Sequence, residues 1–189
     1  MRKISAHYAW SRHTGFIKNP IISLDDSHQI TNLISLGSNY REQAGVEFYS
    51  GLLLPSFLGI NTNLLNANAF KQANQNFKAN GCLLIADLCT DNQKTNPQQN
   101  WIYPTLKQPI SPKSISDYSQ IIDVNNQKSL IDALELYHTK RWKSFNETKN
   151  DGTFELSTAP GIIILSGIDW ESMTITDRTT IKIIEPRRI

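Results

Sequence analysis

Short stretches of alternating polar and apolar residues dominate the first fifty positions of the chain. From Arg2 to Trp10 every second residue is apolar, which is the pattern of a half-buried strand. Residues 20–24 and 30–36 show the strand pattern again on either side of a polar cluster at 25–28, so they predict a hairpin. A further short strand is predicted at 46–49. These residues together predict a small β-sandwich.

The pattern changes at residue 51. Residues 51–60 form a near-continuous apolar run, which predicts a strand covered on both faces. Residues 66–79 predict a helix, because three apolar side chains share one helical stripe: Phe70, Ala73 and Phe77. Gly81 suits the position that ends this helix, and residues 81–88 predict a second apolar strand. Strand, helix and strand predict one βαβ unit with parallel strands.

The second half of the chain has no clear period until residue 127. Residues 90–126 are rich in Asn, Gln, Ser, Lys and Pro and predict a long connection without regular structure. Residues 127–145 predict the best helix of the chain, and residues 162–165 and 179–185 predict strands. The pattern therefore predicts β-strands at both ends of the chain and a mixture of strands and helices in the middle.

This order predicts an α+β fold with two parts. Residues 1–50 and 152–189 form a composite β-sandwich built from both ends of the chain. Residues 51–151 form an inserted unit that holds the βαβ element, the long loop and the helix. A complete (β/α)₈ barrel needs about 250 residues, so a chain of 189 residues cannot hold one.

Composition excludes several classes of function. The 19 Lys and Arg residues nearly balance the 17 Asp and Glu residues, and a net charge of +2 offers little attraction for nucleic acid. No apolar run approaches the ~20 residues that span a bilayer, and the first residues lack the apolar centre of a signal peptide. Cys82 and Cys89 are too few for a disulfide framework. We therefore expect a cytoplasmic protein with no membrane or nucleic-acid partner.

Two segments resemble a known family. Residues 51–64, GLLLPSFLGINTNL, resemble the sequence V-P-G-F-x-(N/D)-x-H-x-H that opens the barrel of the amidohydrolase superfamily. These are metal-dependent hydrolases and deaminases of the cytosine deaminase and chlorohydrolase kind. Residues 152–165 resemble the family's C-terminal return to its β-sandwich. The resemblance covers roughly 1–90 and 127–189, and it implies a composite sandwich that carries a metal-bearing barrel as an insertion.

The chain departs from this family where the chemistry is carried out. The two histidines of the family's H-x-H motif fall on Asn61 and Asn63, and a carboxamide is a weaker metal ligand than an imidazole. The four histidines of the chain form no H-x-H or H-x-x-x-H pair: His7, His13, His28 and His138. Only 38 residues separate Leu88 from Gln127, where five or more βα units would be needed. The sequence therefore predicts a truncated relic with no catalytic residues, no metal and no cofactor.

Several polar residues have both a functional and a structural interpretation. Asn61, Asn63 and Asp87 are candidates for a residual pocket at the ends of the barrel-like strands, although turns and caps are the ordinary use of such side chains. Asp87 also forms a candidate acid–base pair with Asp91. His138 is expected to be solvated on a helix flank, and both cysteines are expected to be inert and buried.

These observations leave three hypotheses of function. The first is a non-catalytic interaction or scaffold protein, which forms a homodimer or binds a partner protein that covers the barrel remnant. The second is a small-molecule binding protein that uses the residual pocket. The third is a hydrolase that acts on non-peptide carbon–nitrogen bonds. We rank them in that order, and we expect the chain not to be an enzyme.

Overall fold

The computed structural model describes residues 1–38, 41, 43–61, 67–87, 101–102, 128–140 and 152–186. The strands are, in chain order, β1 (Arg2–Ser11), β2 (Gly15–Lys18), β3 (Pro20–Leu24), β4 (Ile30–Ser35), β5 (Val46–Pro55), β6 (Phe57–Asn61), β7 (Cys82–Asp87), β8 (Trp101–Ile102), β9 (Lys128–Ser129), β10 (Ile162–Ser166), β11 (Thr174–Ile175) and β12 (Thr180–Ile184). The helices are α1 (Ala67–Ala79) and α2 (Leu130–Leu134), and a π-helical segment (Glu135–Lys140) continues α2.

Strands from both ends of the chain join one mixed sheet, which we call the composite sheet. Its order is β12-β10-β5-β1-β3-β4, and β2 pairs with β1 outside this path. At the centre, Leu53 of β5 is opposite Ala9 of the parallel β1 and Ile164 of the antiparallel β10. The predicted α+β fold with strands contributed by both ends is confirmed. The hairpin predicted from residues 20–24 and 30–36 is present as β3 and β4.

The apolar run at 51–60 is divided between two sheets, so the single strand predicted there is wrong. β5 continues through residues 51–55 inside the composite sheet, and β6 begins after Ser56. Ser56 is fully buried; its amide donates to the Gly161 carbonyl over 3.1 Å, and its hydroxyl donates to the Pro160 carbonyl. These bonds replace ladder pairing at one residue and let the chain pass to a second sheet. Residues 51–55, assigned to the inserted unit from the sequence, lie in the composite sheet.

The second sheet consists of parallel strands in the order β6-β7-β8, and we call it the parallel sheet. Helix α1 connects β6 to β7, so the predicted βαβ unit is confirmed. The helix ends at Ala79, and Gly81, which the sequence predicts to end it, follows with a φ of +78° and donates its amide to the Lys78 carbonyl over 2.8 Å. Phe77 of α1 lies so close to Gly59 of β6 that a Cβ there would come within 2.7 Å of its ring. Glycine at position 59 therefore permits the helix to pack on the strand.

Two apolar clusters cover the opposite faces of the composite sheet. Leu52 and Leu54 of β5 belong to one cluster and Leu53 to the other, as the alternation of side chains along a strand requires. The first cluster also receives residues from the inserted part: Phe57, Cys82, Leu130, Ala133 and Leu134. The second lies against β1 and β3 and contains Ile4, Ile22 and Ile164. Full burial of one such side chain stabilises the fold by about 1.5–3 kcal/mol relative to exposure.

Helix α2 starts later than the sequence predicts, because Lys128 and Ser129 pair with β11 instead of entering the helix. The Ser129 hydroxyl accepts a hydrogen bond from the Asp132 amide over 3.4 Å, which caps the helix. Leu130 and Leu134 are buried in the first cluster, and the chain then widens into the π-helical segment. The remainder of the helix predicted at 127–145, residues 141–145, lies outside the described residues.

Candidate functional site

The carboxyl edge of the parallel sheet is where the sequence places its candidate pocket. Asn61 is the last residue of β6 and Asp87 is the last residue of β7, and the two are Cα partners in the parallel pairing of these strands. Ligand sites of α/β sheets form at such carboxyl ends. Asn63 and Asp91 lie outside the described residues. The pocket at Asn61, Asn63 and Asp87 stays a prediction, although the backbone brings the first and last of these residues side by side.

Three of the four histidines belong to the composite sheet and its loops. His7 lies on β1, and its Nδ1 accepts the Gly51 amide over 3.3 Å. His13 lies in the turn before β2, with Nδ1 3.2 Å from a carboxylate oxygen of Glu155. His28 lies in the β3–β4 turn, with Nδ1 2.6 Å from the Glu185 carbonyl oxygen. These rings hold turns and strands together and are not clustered with one another.

His138 is fully buried, and the prediction of a solvated side chain is wrong. Its ring is nearly perpendicular to the indole of Trp10, with 5.1 Å between centroids, and lies 6.2 Å from the ring of Phe57. Position 138 follows Leu134 by four residues and Leu130 by eight, so it lies on the same buried face of the helix.

The buried histidine lies at the amino end of the parallel sheet. Phe57, which its ring contacts, is the first residue of β6, while Asn61 is the last. Four strand residues correspond to about 13 Å along the strand axis. Barrel enzymes build their active sites at the carboxyl ends of their strands. His138 is thus packed against the opposite end of β6 from the candidate pocket.

No group of three or more His, Cys, Asp or Glu side chains close enough to hold a metal occurs among the described residues. Cys82 is 3% exposed in the first cluster, as the sequence predicts, and its Sγ lies 4.0 Å from the Asn80 carbonyl oxygen. Cys89 lies outside the described residues. At the carboxyl edge of the parallel sheet the backbone pairs Asn61 with Asp87.

The composite sheet carries an ion pair supported by a tyrosine hydroxyl. Arg2 binds both carboxylate oxygens of Glu47 at 2.8 Å, and the Tyr49 hydroxyl donates to the same carboxylate over 2.8 Å. The hydrogen bond from Arg2, followed by that from Tyr49, lowers the pKa of Glu47 to about 2. The Lys182 ammonium lies 4.7 Å from the centre of the Tyr49 ring. This network joins β1, β5 and β12 and is structural.

Sequence reasoning missed a depression of about 260 Å³ on the composite sheet. Five residues line it: His7, Tyr8, Lys18, Asn19 and Trp170. The alternation of apolar residues along β1 indicated a strand but gave no sign that His7 and Tyr8, which are neighbours in sequence, would line the same feature. Trp170 comes from a loop more than one hundred and fifty residues later.

Comparisons with known proteins gave matches among solved structures only. No family model matches the chain, and no curated protein matches it. One match is N-acetyl-D-glucosamine-6-phosphate deacetylase from Mycobacterium smegmatis, with a TM-score of 0.33 and 9% identity. It covers 46% of this chain and 26% of the deacetylase. Another match is aminofutalosine deaminase from Helicobacter pylori, with a TM-score of 0.36 and 13% identity. It covers 46% of this chain and 29% of the deaminase.

A third structure, N-isopropylammelide isopropylaminohydrolase from Burkholderia multivorans, is similar to 46% of this chain over 29% of its own length, with a TM-score of 0.31 and 12% identity. The matched part thus spans less than a third of each of these enzymes. These three structures are amidohydrolase-superfamily enzymes, and each match is partial. Among the described residues, no helix combines the length and the apolar character needed to cross a membrane.

Proposed function

We propose that this chain is a non-catalytic protein of amidohydrolase-like architecture that acts by binding a second protein chain. The observation that supports it is the placement of potential ligands around β6. Its carboxyl end carries Asn61 beside Asp87, while the buried His138 packs against its amino end. A family member that hydrolyses carbon–nitrogen bonds would carry imidazole ligands at the carboxyl end.

The donor chemistry at this edge supports the absence of metal catalysis. Catalytic zinc sites take three protein ligands, commonly imidazole nitrogens together with a carboxylate, and leave a fourth position open for water. Asn61 offers a neutral amide oxygen, which is a weak ligand for such a metal. The histidines that lie elsewhere bind the Gly51 amide, Glu155 and the Glu185 carbonyl. No general base or metal-bound water follows from this set.

Exposed apolar side chains support association with another chain. Phe48 on β5, Ile131 on α2 and Leu156 in the loop before β10 are 44%, 57% and 62% exposed. Among the described strands, β4 and β12 end the composite sheet, and a sheet edge presents backbone groups that can pair with another strand. A homodimer is the commonest arrangement that covers such surfaces. We therefore propose a second copy of the chain as the partner.

A second candidate function is small-molecule binding at the carboxyl edge of the parallel sheet. The backbone pairing of Asn61 with Asp87 favours it, because it brings one Asn and one Asp to the same edge of the sheet, and both residue types bind polar ligand groups. A ligand at one hundred times its Kd would stabilise the chain by about 2.7 kcal/mol, which a thermal-shift screen detects. Asp87→Asn would abolish that stabilisation if the ligand binds there.

Metal analysis of the purified chain tests the proposal. We expect far less than one equivalent of zinc, iron or nickel, both as purified and after incubation with zinc followed by dialysis. The double variant Asn61→His/Asn63→His, which restores the family's H-x-H motif, is the matched comparison. Stoichiometric metal in the unmodified chain, with hydrolysis of an amide or amidine substrate that a chelator abolishes, would establish the hydrolase instead.

A separate measurement tests the proposed homodimer. Light scattering coupled to gel filtration over a range of concentrations should give twice the chain mass of 21.4 kDa. A mass of one chain at every concentration would exclude the homodimer and leave only a different protein as the partner.

A further inference from the structure

The depression lined by His7, Tyr8, Lys18, Asn19 and Trp170 lies at a β-bulge. Ala6 of β1 is opposite Tyr49 of β5, but Tyr8 is opposite Leu52, so β5 holds one extra residue across from His7. Bulges bend a strand and re-aim side chains. Adjacent residues of a regular strand point to opposite faces, whereas His7 and Tyr8 both line the depression.

A hydrogen bond fixes the ring of His7 at this bulge. Gly51, which has a φ of +144°, donates its amide to Nδ1 of His7. Because Nδ1 accepts a hydrogen bond, the proton of the neutral ring is on Nε2, which makes Nε2 a donor. The hydrogen bond from Gly51 therefore fixes the orientation of the His7 ring beside the depression.

Two aromatic side chains form the apolar part of the lining. The rings of Tyr8 and Trp170 have centroids 4.9 Å apart and planes inclined by 39°, and Phe16 lies edge-on to Tyr8 at 6.4 Å. The loop that carries Trp170 is held by Asp169, whose Oδ1 accepts the amides of Glu171 and Ser172 at 3.0 and 3.2 Å. The aromatic surface is thus supported by strand pairing on one side and a hydrogen-bonded turn on the other.

The polar part of the lining favours an anion. Lys18, the Cα partner of Tyr8, is the only charged residue among the five that line the depression, and its side chain is exposed. Asn19 is held by the fold, since its Nδ2 donates to the Gly37 carbonyl over 2.7 Å and its amide donates to the His7 carbonyl over 2.9 Å. A cation beside aromatic rings, with no carboxylate among the five lining residues, complements a flat ring that bears a negative group.

We propose that this depression binds a small planar aromatic carboxylate, with the ring against Tyr8 and Trp170 and the carboxylate beside Lys18. A volume of about 260 Å³ suits a single ring and is below the usual range for drug-sized ligands. For so small a ligand at an open site we expect a Kd of about 1 mM or weaker. The site lies on the composite sheet and goes beyond the association and the metal chemistry considered above.

Benzoate is the probe, and amide chemical shifts of the ¹⁵N-labelled full chain are the readout. We expect saturable shifts at residues 7, 8, 18, 19 and 170. Benzamide, which has the same ring but no charge, should bind up to about fivefold more weakly, the strength of an exposed ion pair. Cyclohexanecarboxylate, which keeps the charge but not the π system, should bind about two- to tenfold more weakly.

Two lysine variants locate the charge. Lys18→Ala should lower the affinity for benzoate to that for benzamide and leave benzamide binding unchanged. Lys71→Ala, which removes an exposed lysine from α1, should change neither. The proposal is overturned if benzoate and benzamide bind equally, if Lys18→Ala leaves benzoate binding intact, or if saturable shifts are absent or lie elsewhere. The amide spectrum itself reports whether each variant is folded, and metal content plays no part in any of these measurements.

Discussion

The amide nitrogen of Gly51 lies 3.3 Å from Nδ1 of His7, where β5 bulges away from β1. This contact requires a backbone that only glycine adopts readily, with a φ of +144°. A Cβ at this position would overlap the Leu165 carbonyl group, whose carbon would be 2.9 Å away. The bulge, the orientation of His7 and the pairing of β5 with β10 therefore all depend on one glycine.

Gly51→Ala should reduce the free energy of unfolding by about 3 kcal/mol or more, because a strained φ and a backbone overlap add. Gly45→Ala is the matched control, since Gly45 also has a positive φ of +75° but has open space around its Cβ position. The control should lose only about 1 kcal/mol. Urea unfolding measures both, and equal losses would show that the overlap with Leu165 is relieved at little cost.

His138→Ala should destabilise the fold by about 2–4 kcal/mol, because it removes a fully buried ring from between Trp10 and Phe57. His13→Ala, at a side chain that is 53% exposed, should cost less than about 1 kcal/mol. Thermal or urea unfolding distinguishes the two positions. A loss at position 138 no larger than that at position 13 would contradict the burial of this ring.

Glu47→Gln should reduce stability at neutral pH but not in strong acid. The pKa of Glu47 is about 2 in the folded chain and near 4.5 in the unfolded chain, so the stabilisation is complete above about 4.5. It disappears as the pH falls through this interval toward 2. Because the carboxylate is 50% exposed, we expect a difference of only about 0.2–1 kcal/mol at pH 7.

Urea unfolding of Glu47→Gln and the unmodified chain across this pH interval is the measurement. Glu171→Gln, which removes a negative charge from an exposed turn residue, is the control for a change in net charge. A difference between Glu47→Gln and the unmodified chain that persists undiminished at pH 2 would show that the loss does not come from the ion pair with Arg2.

An ion pair links α1 to the end of the composite sheet, where Lys78 Nζ lies 3.0 Å from Glu185. A double-mutant cycle with Lys78→Ala and Glu185→Ala should give a coupling free energy of about 0.2–1 kcal/mol that decreases with added salt. The same cycle with Lys71→Ala in place of Lys78→Ala should give no coupling free energy. Zero coupling for the first pair would mean that its geometry does not persist in solution.

The sequence predicted those elements whose signals are local. The alternation of apolar residues along β1, β3 and β4 can be recognised within each strand alone. The apolar stripe of α1 and the glycine that follows the helix are likewise visible within one short segment. The pairing of Asn61 with Asp87 also follows, because successive strands of a βαβ unit end at one edge.

Other features depend on residues far apart in the chain. The break between β5 and β6 could not be read from residues 51–60, since Ser56 makes its bonds to Pro160 and Gly161. The burial of His138 involves Trp10 and Phe57, which pack against its ring from distant positions in the chain. The depression is lined by residues near the start of the chain and by Trp170 from a distant loop, so no single stretch of sequence contains it.

The composite sheet also constrains the order in which the chain can fold during synthesis. β5 can pair with β1 as soon as the first fifty-five residues have left the ribosome. Its other neighbour, β10, is made more than one hundred residues later, and until then the edge at Leu52 to Pro55 has no strand beside it. Contacts of such long range close slowly, and an apolar edge left open during that delay is a site for aggregation. The nascent chain therefore has most need of a chaperone while residues 56–161 are being made.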